Sequence, residues 1–295
     1  MTHFTFLTED QIIGNTALEV IKKYGREASP TDLAIVLGSP EYGNETGTCE
    51  GEPTCDYWTS TSILGEYVSL IDGWGINGAV YPGMAKKTCI RPALSPEETA
   101  KIQPDEERPP ILGVACCTWG EFPQTIADKK TRCRLGNAYK KGLLKETGKK
   151  YTFNGIDVCN QHDAFKPIAY PEFEYKGDRY VRVLSYTRYG YMSDGTASKV
   201  GRYYWMKVEP LEWLKDPTGW WVTRKCLLSG VEFDNKLYKG DFDKTRISRY
   251  INTYFAKESR PLRQKSKKRQ KTRTITVHAA HHKASPNCCR TQNER

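Results

Sequence analysis

Between Asp56 and Leu94 the chain changes direction so often that only short strands joined by tight turns fit it. Tyr57-Trp58-Thr59-Ser60-Thr61-Ser62 is aromatic and rich in threonine, and Tyr67, Ser69 and Ile71 alternate with Val68, Leu70 and Asp72 at the period of a two-faced strand. Gly73 and Gly75 flank Trp74 in a turn, and Asn77-Gly78, where both residues tolerate positive φ, predicts a hairpin tip with Ala79-Val80-Tyr81 returning. Ile90-Arg91-Pro92-Ala93-Leu94 predicts an edge strand, the position where proline costs least. Aromatic and small polar side chains placed where strands meet loops have the composition of a binding surface. Tyr57, Trp58, Tyr67, Trp74, Asn77 and Tyr81 are therefore the candidate ligand contacts. Burial in a small β core is the competing expectation for Trp58 and Trp74, whereas Asn77 and Tyr81 are expected at an exposed tip.

The flanks predict a mixed α+β chain. Thr8-Glu9-Asp10-Gln11 reads as a capping box opening a helix to about Tyr24, and Ser29-Pro30-Thr31-Asp32 opens a second helix, with Ser29 at the N-cap, closed by Gly38. Residues 95–110 hold four prolines and mixed charge and predict a linker. Beyond it, residues 126–145 have helical periodicity, and Phe173 to Val183 reads as a hairpin around Gly177. Tyr203 to Trp213 and Trp220 to Leu228 supply further strands. Ile247, Tyr250, Ile251, Tyr254 and Phe255 make an amphipathic closing helix. The expected organisation is a unit over 1–95, a linker over 96–110, an antiparallel β-rich α+β unit over 111–259 and a basic disordered tail over 260–295.

The net charge of +10 belongs to that tail. From Arg260 onward eleven Lys/Arg face one acidic residue, while residues 1–259 hold 34 of each sign, so the body is neutral. Arg263, Lys265, Lys267, Lys268, Arg269 and Lys271 give the tail a density that binds phosphates nonspecifically, against the plainer expectation of a solvated extension. No window approaches 18 apolar residues, so no membrane span is expected, and no basic-then-apolar leader is visible at Met1 to Asp10. Ten cysteines without an export signal are expected to stay thiols, which fits a cytoplasmic or virion-associated chain.

Several segments taken together resemble an uncharacterised bacterial family associated with gut Firmicutes and their mobile elements. They are Leu7 to Gln11, Ile21 to Gly25, Thr31 to Gly38, Tyr57-Trp58, Arg91 to Leu94, Gly120 to Thr125, Thr147 to Thr152, Tyr180 to Val183, Tyr204 to Pro210 with Trp213, and Gly240 to Thr245. The resemblance spans about residues 7–258 and carries no function with it. The order Tyr-Trp, short strands, glycine turn, Arg-Pro-Ala-Leu is also similar to the closing half of C-type-lectin-like domains. That group includes variable receptor-binding proteins and formylglycine-generating enzymes. The likeness implies a lectin-like N-terminal unit that displays ligand contacts from Thr59 to Gly83.

Catalytic patterns are missing: there is no G-x-S-x-G, H-E-x-x-H or P-loop, and only His3 and His162 lie in the body. Cys49/Cys55 and Cys159/His162 lack paired C-x2-C spacing, and the His278, His281, His282, Cys288 and Cys289 cluster sits in the tail, so no metal or cofactor is expected. Nothing in the sequence pairs Cys89. Trp205, Trp213, Trp220 and Trp221 are expected in a β core. The resulting expectation is a non-enzymatic recognition protein for a protein or glycan ligand. The alternatives are nucleic-acid association through the tail and a metal-dependent enzyme of the formylglycine-generating kind.

Overall fold

A computed structural model describes residues 2–40, 42, 53–84, 87–154, 166–186 and 190–260. The chain is α+β, built on two antiparallel sheets with short helices. The smaller sheet has the order β1 (Tyr57–Ile63), β2 (Tyr67–Ile71), β3 (Asn77–Val80). The larger has eight strands: β4 (Ala93–Leu94), β5 (Glu106–Ile111), β6 (Val114–Ile126), β7 (Lys145–Asn154), β8 (Pro167–Tyr175), β9 (Asp178–Leu184), β10 (Tyr203–Lys215) and β11 (Trp221–Thr223). Strand β10 organises it. One side pairs with β6 along most of its length, and the other pairs first with β9 and then with β11. Among the described residues no helix is long and apolar enough to cross a membrane.

Local chemistry accounts for the ends of the helices. The capping box at Thr8 forms as expected, with Gln11 N donating to Thr8 Oγ1 at 3.2 Å and Thr8 N to Gln11 Oε1 at 2.9 Å. The helix it opens, α1 (Glu9–Ile13), stops after one turn and α2 (Glu19–Tyr24) begins anew, so the predicted single helix to Tyr24 is two. The break lies at Gly14, where the Asp10 side chain turns back to accept from Asn15 N and Thr16 Oγ1. Asp10 thus spends its side chain on ending the helix. In α3 (Asp32–Val36) the cap is Thr31, which accepts from Ala34 N, not Ser29. The hairpin tip also moves. Asn77-Gly78 lies inside β3, and the turn is Asp72 to Ile76, where Asp72 Oδ1 accepts from Trp74 N and Ile76 N at 2.9 Å each. A carboxylate that holds two backbone donors outweighs the positive-φ tolerance of Asn-Gly.

The expected division at residue 95 is not a division of the core. Residues 1–261 cluster as one compact unit. Phe4, Trp58, Val68 and Leu70 share one apolar cluster with Phe122, Trp213 and Phe255. Phe4 lies 4.9 Å from the Phe255 ring and exchanges hydrogen bonds with the Asn252 side chain. Strand β4 joins the large sheet through β11. The predicted linker contains α4 (Pro96–Thr99) and β5, an exposed edge strand whose register shift between Arg108 and Ile111 accommodates Pro109 and Pro110. A lectin-like unit with its own interior therefore does not stand apart at residues 1–95.

Other expectations hold. The helix of residues 126–145 is α5 (Lys129–Lys140), capped by Asp128. Gly177 turns β8 into β9. The closing segment runs through α6 (Arg246–Tyr250), a π turn (Ile251–Phe255) and α7 (Ala256–Glu258), with Ile247, Tyr250, Ile251 and Phe255 buried. Residues 261–295, with all six basic residues named above, lie outside the described residues.

Gly120 lets that closing segment sit against β6. Its φ is +76°, and a Cβ there would stand 2.7 Å from Ser259 O, the acceptor of Glu121 N. Gly113 has nearly the same φ, +75°, but open space around it. Gly113→Ala is expected to cost about 1 kcal/mol from the left-handed conformation alone, and Gly120→Ala about 2 kcal/mol or more because the backbone contact adds to it. Equal losses in urea unfolding would remove the close approach as a stabilising feature.

Candidate functional site

The six candidate contacts divide by strand position. Tyr57 and Trp58 are 2% and 1% exposed. Consecutive strand residues point to opposite faces, and here both faces are covered. Trp58 packs in the main cluster with its ring 5.3 Å from Phe233, while Tyr57 belongs to the second cluster and its hydroxyl donates to Arg26 O at 2.6 Å. Neither is a surface contact, which corrects the expectation for both.

The other four reach solvent on the β2–β3 hairpin. Trp74, 65% exposed at the turn, packs against the Tyr42 ring at 4.7 Å. Asn77 is exposed and its Nδ2 donates to Glu9 Oε1. At the open end Tyr81, 46% exposed, meets Tyr67 edge-on at 4.7 Å. Along β3, Asn77 and Ala79 are exposed and alternate with half-buried Gly78 and Val80, so Asn77, Ala79 and Tyr81 share the outward parity of an edge strand. At about 3.3 Å per residue Asn77 and Tyr81 stand about 13 Å apart along it.

Beneath the base of this sheet lies a constellation that the sequence does not announce. Cys55, Cys89 and Cys226 are fully buried, and their Sγ atoms all lie within 4.8 Å of one another. Short backbone links assemble them. Cys55 N donates to Ala28 O, Cys226 N to Ser29 O, and Cys89 N to Asp56 O, while Trp58 N returns a bond to Cys89 O. Ser39 Oγ is 3.0 Å from Cys89 Sγ. Burial pushes the Cys55 and Cys89 thiols well up. For Cys226 the same burial is outweighed by donation from Cys55 and Cys89 and by the Arg91 charge, so its thiol is drawn well below the usual range. Arg91 is itself buried. Its Nε donates to Thr223 O at 3.1 Å, its guanidinium lies 5.1 Å from the Tyr57 ring centre, and among the described residues Nη1 and Nη2 have no hydrogen-bond partner.

The sequence signal for this cluster was faint because its members are 34 and 137 positions apart and none sits in a C-x2-C pair. Cys49, the expected companion of Cys55, lies outside the described residues, as do Cys159, His162, His278, His281, His282, Cys288 and Cys289.

A cleft of about 550 Å³ is lined by Asp32, Gln124, Ser193, Glu209 and Arg224 among others. Asp32 looks like a catalytic carboxylate until its bonds are followed. Burial pushes its pKa up, yet it already accepts from Ile126 N at 2.7 Å, Ser193 N at 2.6 Å and Ser193 Oγ at 2.7 Å. Those three donors tie α3 to β6 and to the Met192 loop, a structural task. His3 is at the surface beside Asp243, away from this cleft's lining. Trp205, Trp213 and Trp221 are buried in the sheet core and Trp220 is half-buried, so none of the four forms an open stacking platform.

Compared with known proteins, the chain matches no family model, no curated protein and no solved structure.

Proposed function

We propose that this chain is a non-enzymatic recognition protein that takes a protein or glycan ligand on the edge hairpin through Tyr67, Trp74, Asn77 and Tyr81. One observation carries the reading: at either end of a hairpin whose neighbouring strand is anchored in the core by Tyr57 and Trp58, an exposed ring (Trp74, Tyr81) packs on a half-buried one (Tyr42, Tyr67). Rings already fixed by a neighbour lose little entropy on contact, and their faces accept either apolar side chains or the C–H face of a sugar. The residues first expected to bind at Tyr57 and Trp58 support this rim from below. A cytoplasmic or virion-associated location goes with the reading, supported by six described cysteines that all stand as thiols.

The test is a glycan and protein array probed with the full chain, Trp74→Ala and Tyr81→Ala. A ligand that uses the rim is expected to lose at least about thirtyfold in affinity with each variant, the scale of an interface hot spot, while circular dichroism stays that of the parent. If every ligand found binds both variants as it binds the parent, the rim is not the site.

A further inference from the structure

We propose that Cys55, Cys89 and Cys226 form a closed site for one thiophilic divalent d10 cation of the zinc class, with Ser39 Oγ, 3.0 Å from Cys89 Sγ, as the candidate fourth ligand. This goes beyond the recognition reading and is independent of it.

The geometry comes first. Three points no more than 4.8 Å apart always share a point within about 2.8 Å of each. Sulfur–zinc bonds are about 2.3 Å, so each sulfur needs to move in by only about half an ångström. The donors arrive on three separate stretches of chain, 55–58, 89–91 and 226, locked together by the backbone bonds described above. Side chains held this way form a pocket before any ion enters. The set is all sulfur apart from Ser39, which selects soft ions over magnesium or calcium. It is also fully covered, the character of a structural rather than a catalytic centre.

Charge supplies the second, independent observation. Three small buried thiols need no partner and pack well as apolar side chains. Buried Arg91 is different, because two of its guanidinium nitrogens have no hydrogen-bond partner among the described residues, its one bond running from Nε to Thr223 O beside the Tyr57 ring, and an under-bonded buried guanidinium is costly. A divalent ion on three thiolates carries one net negative charge, and Arg91 cancels it. Filling the site thus explains both the convergence of the cysteines and the burial of a guanidinium with two unbonded nitrogens. Binding displaces to solvent the protons that the thiols hold, with no change in oxidation state. Because the sulfurs are inaccessible from outside, the ion is taken up as the chain folds.

The experiment uses the full chain produced in zinc-supplemented medium and purified under a non-thiol reductant. Metal analysis is expected to find about one zinc per chain, and X-ray absorption at the zinc edge three sulfur neighbours at about 2.3 Å. Cys55→Ser, Cys89→Ser and Cys226→Ser should each weaken zinc binding by roughly a hundredfold or more, above the loss typical of a supporting residue. Cys116→Ser, Cys117→Ser and a chain with Cys49, Cys159, Cys288 and Cys289 all changed to serine should keep it. The absorption spectrum needs no variant, so misfolding of a serine form leaves the proposal testable. Zinc in only a small minority of parent chains, a nitrogen- or oxygen-dominated shell, or loss of zinc from the Cys49/Cys159/Cys288/Cys289 chain would each overturn it.

Discussion

Trp58→Ala is expected to destabilise the fold by about 3–5 kcal/mol, while Trp74→Ala, sixteen residues on in the same aromatic stretch, should stay within about 0.5 kcal/mol. The difference lies in what surrounds each ring. Trp58 is sealed between the small sheet and Phe233, which also packs on Tyr238 and Phe242, so removing the indole opens a void whose walls are other aromatic rings and cannot collapse easily. Trp74 touches Tyr42 and otherwise faces solvent. A third variant sharpens the test. Trp58 Nε1 is buried without a hydrogen-bond partner among the described residues, and an orphaned donor of that kind costs about 1–3 kcal/mol. Trp58→Phe removes that donor along with some volume, so it should lose distinctly less than Trp58→Ala. Urea unfolding of the three variants checks the order. Similar midpoints for Trp58→Ala and Trp74→Ala would mean that the small sheet does not close on the main core.

That pair of tryptophans also shows where sequence reading reached its limit. The β2 strand, the Gly177 turn, the Thr8 capping box and the amphipathic closing helix are local patterns, and they were legible. Whether a strand is covered on one face or on both is decided by what arrives from elsewhere. Phe233 reaches Trp58 across more than 170 positions, and Arg26 reaches Tyr57 from the opposite side. Local composition cannot tell a two-sided interior strand from a display strand when both are aromatic. The same limit blurred the boundary at residue 95, because Phe4 and Asn252 meet from opposite ends of the folded chain. It also hid the thiol cluster, whose members are joined only by contacts between distant loops. Asn77 and Tyr81, by contrast, were expected at the surface from the hairpin and are exposed, although the turn itself sits at Asp72.

Arg179→Met should cost about 3–5 kcal/mol at pH 7, because Arg179 is the main counter-charge for two carboxylates inside the large sheet. Four strands of the large sheet contribute to the network. Both Nη atoms of Arg179 on β9 bond both carboxylate oxygens of Glu121 on β6, and Lys149 on β7 adds a bond to Glu121 at 3.1 Å. Glu172 on β8 is fully buried. It accepts from Tyr151 Oη at 2.9 Å and Thr147 Oγ1 at 2.8 Å, and lies 3.8 Å from Arg179. Methionine fills similar volume but leaves both carboxylates with Lys149 alone. Burial holds Lys149 below its ordinary range, which makes it a poor substitute. Burial also pushes Glu121 up, yet Arg179 and Lys149 outweigh it and hold the carboxyl below its usual value of 4.5. A carboxyl lowered in the fold contributes stability that is complete above its unfolded value and is lost as pH falls through the folded one. The gap between parent and Arg179→Met should therefore be widest at neutral pH and narrow below about 4.5, where Glu121 takes up a proton in the variant before it does so in the parent. Adding Glu121→Gln to Arg179→Met removes one of the stranded charges and should recover a large part of the loss, a coupling that a double-mutant cycle reads directly. A gap that stays constant from pH 7 down to pH 4, or no recovery in the double variant, would mean that the four strands are held by packing and backbone pairing and that the ion network contributes nothing to them.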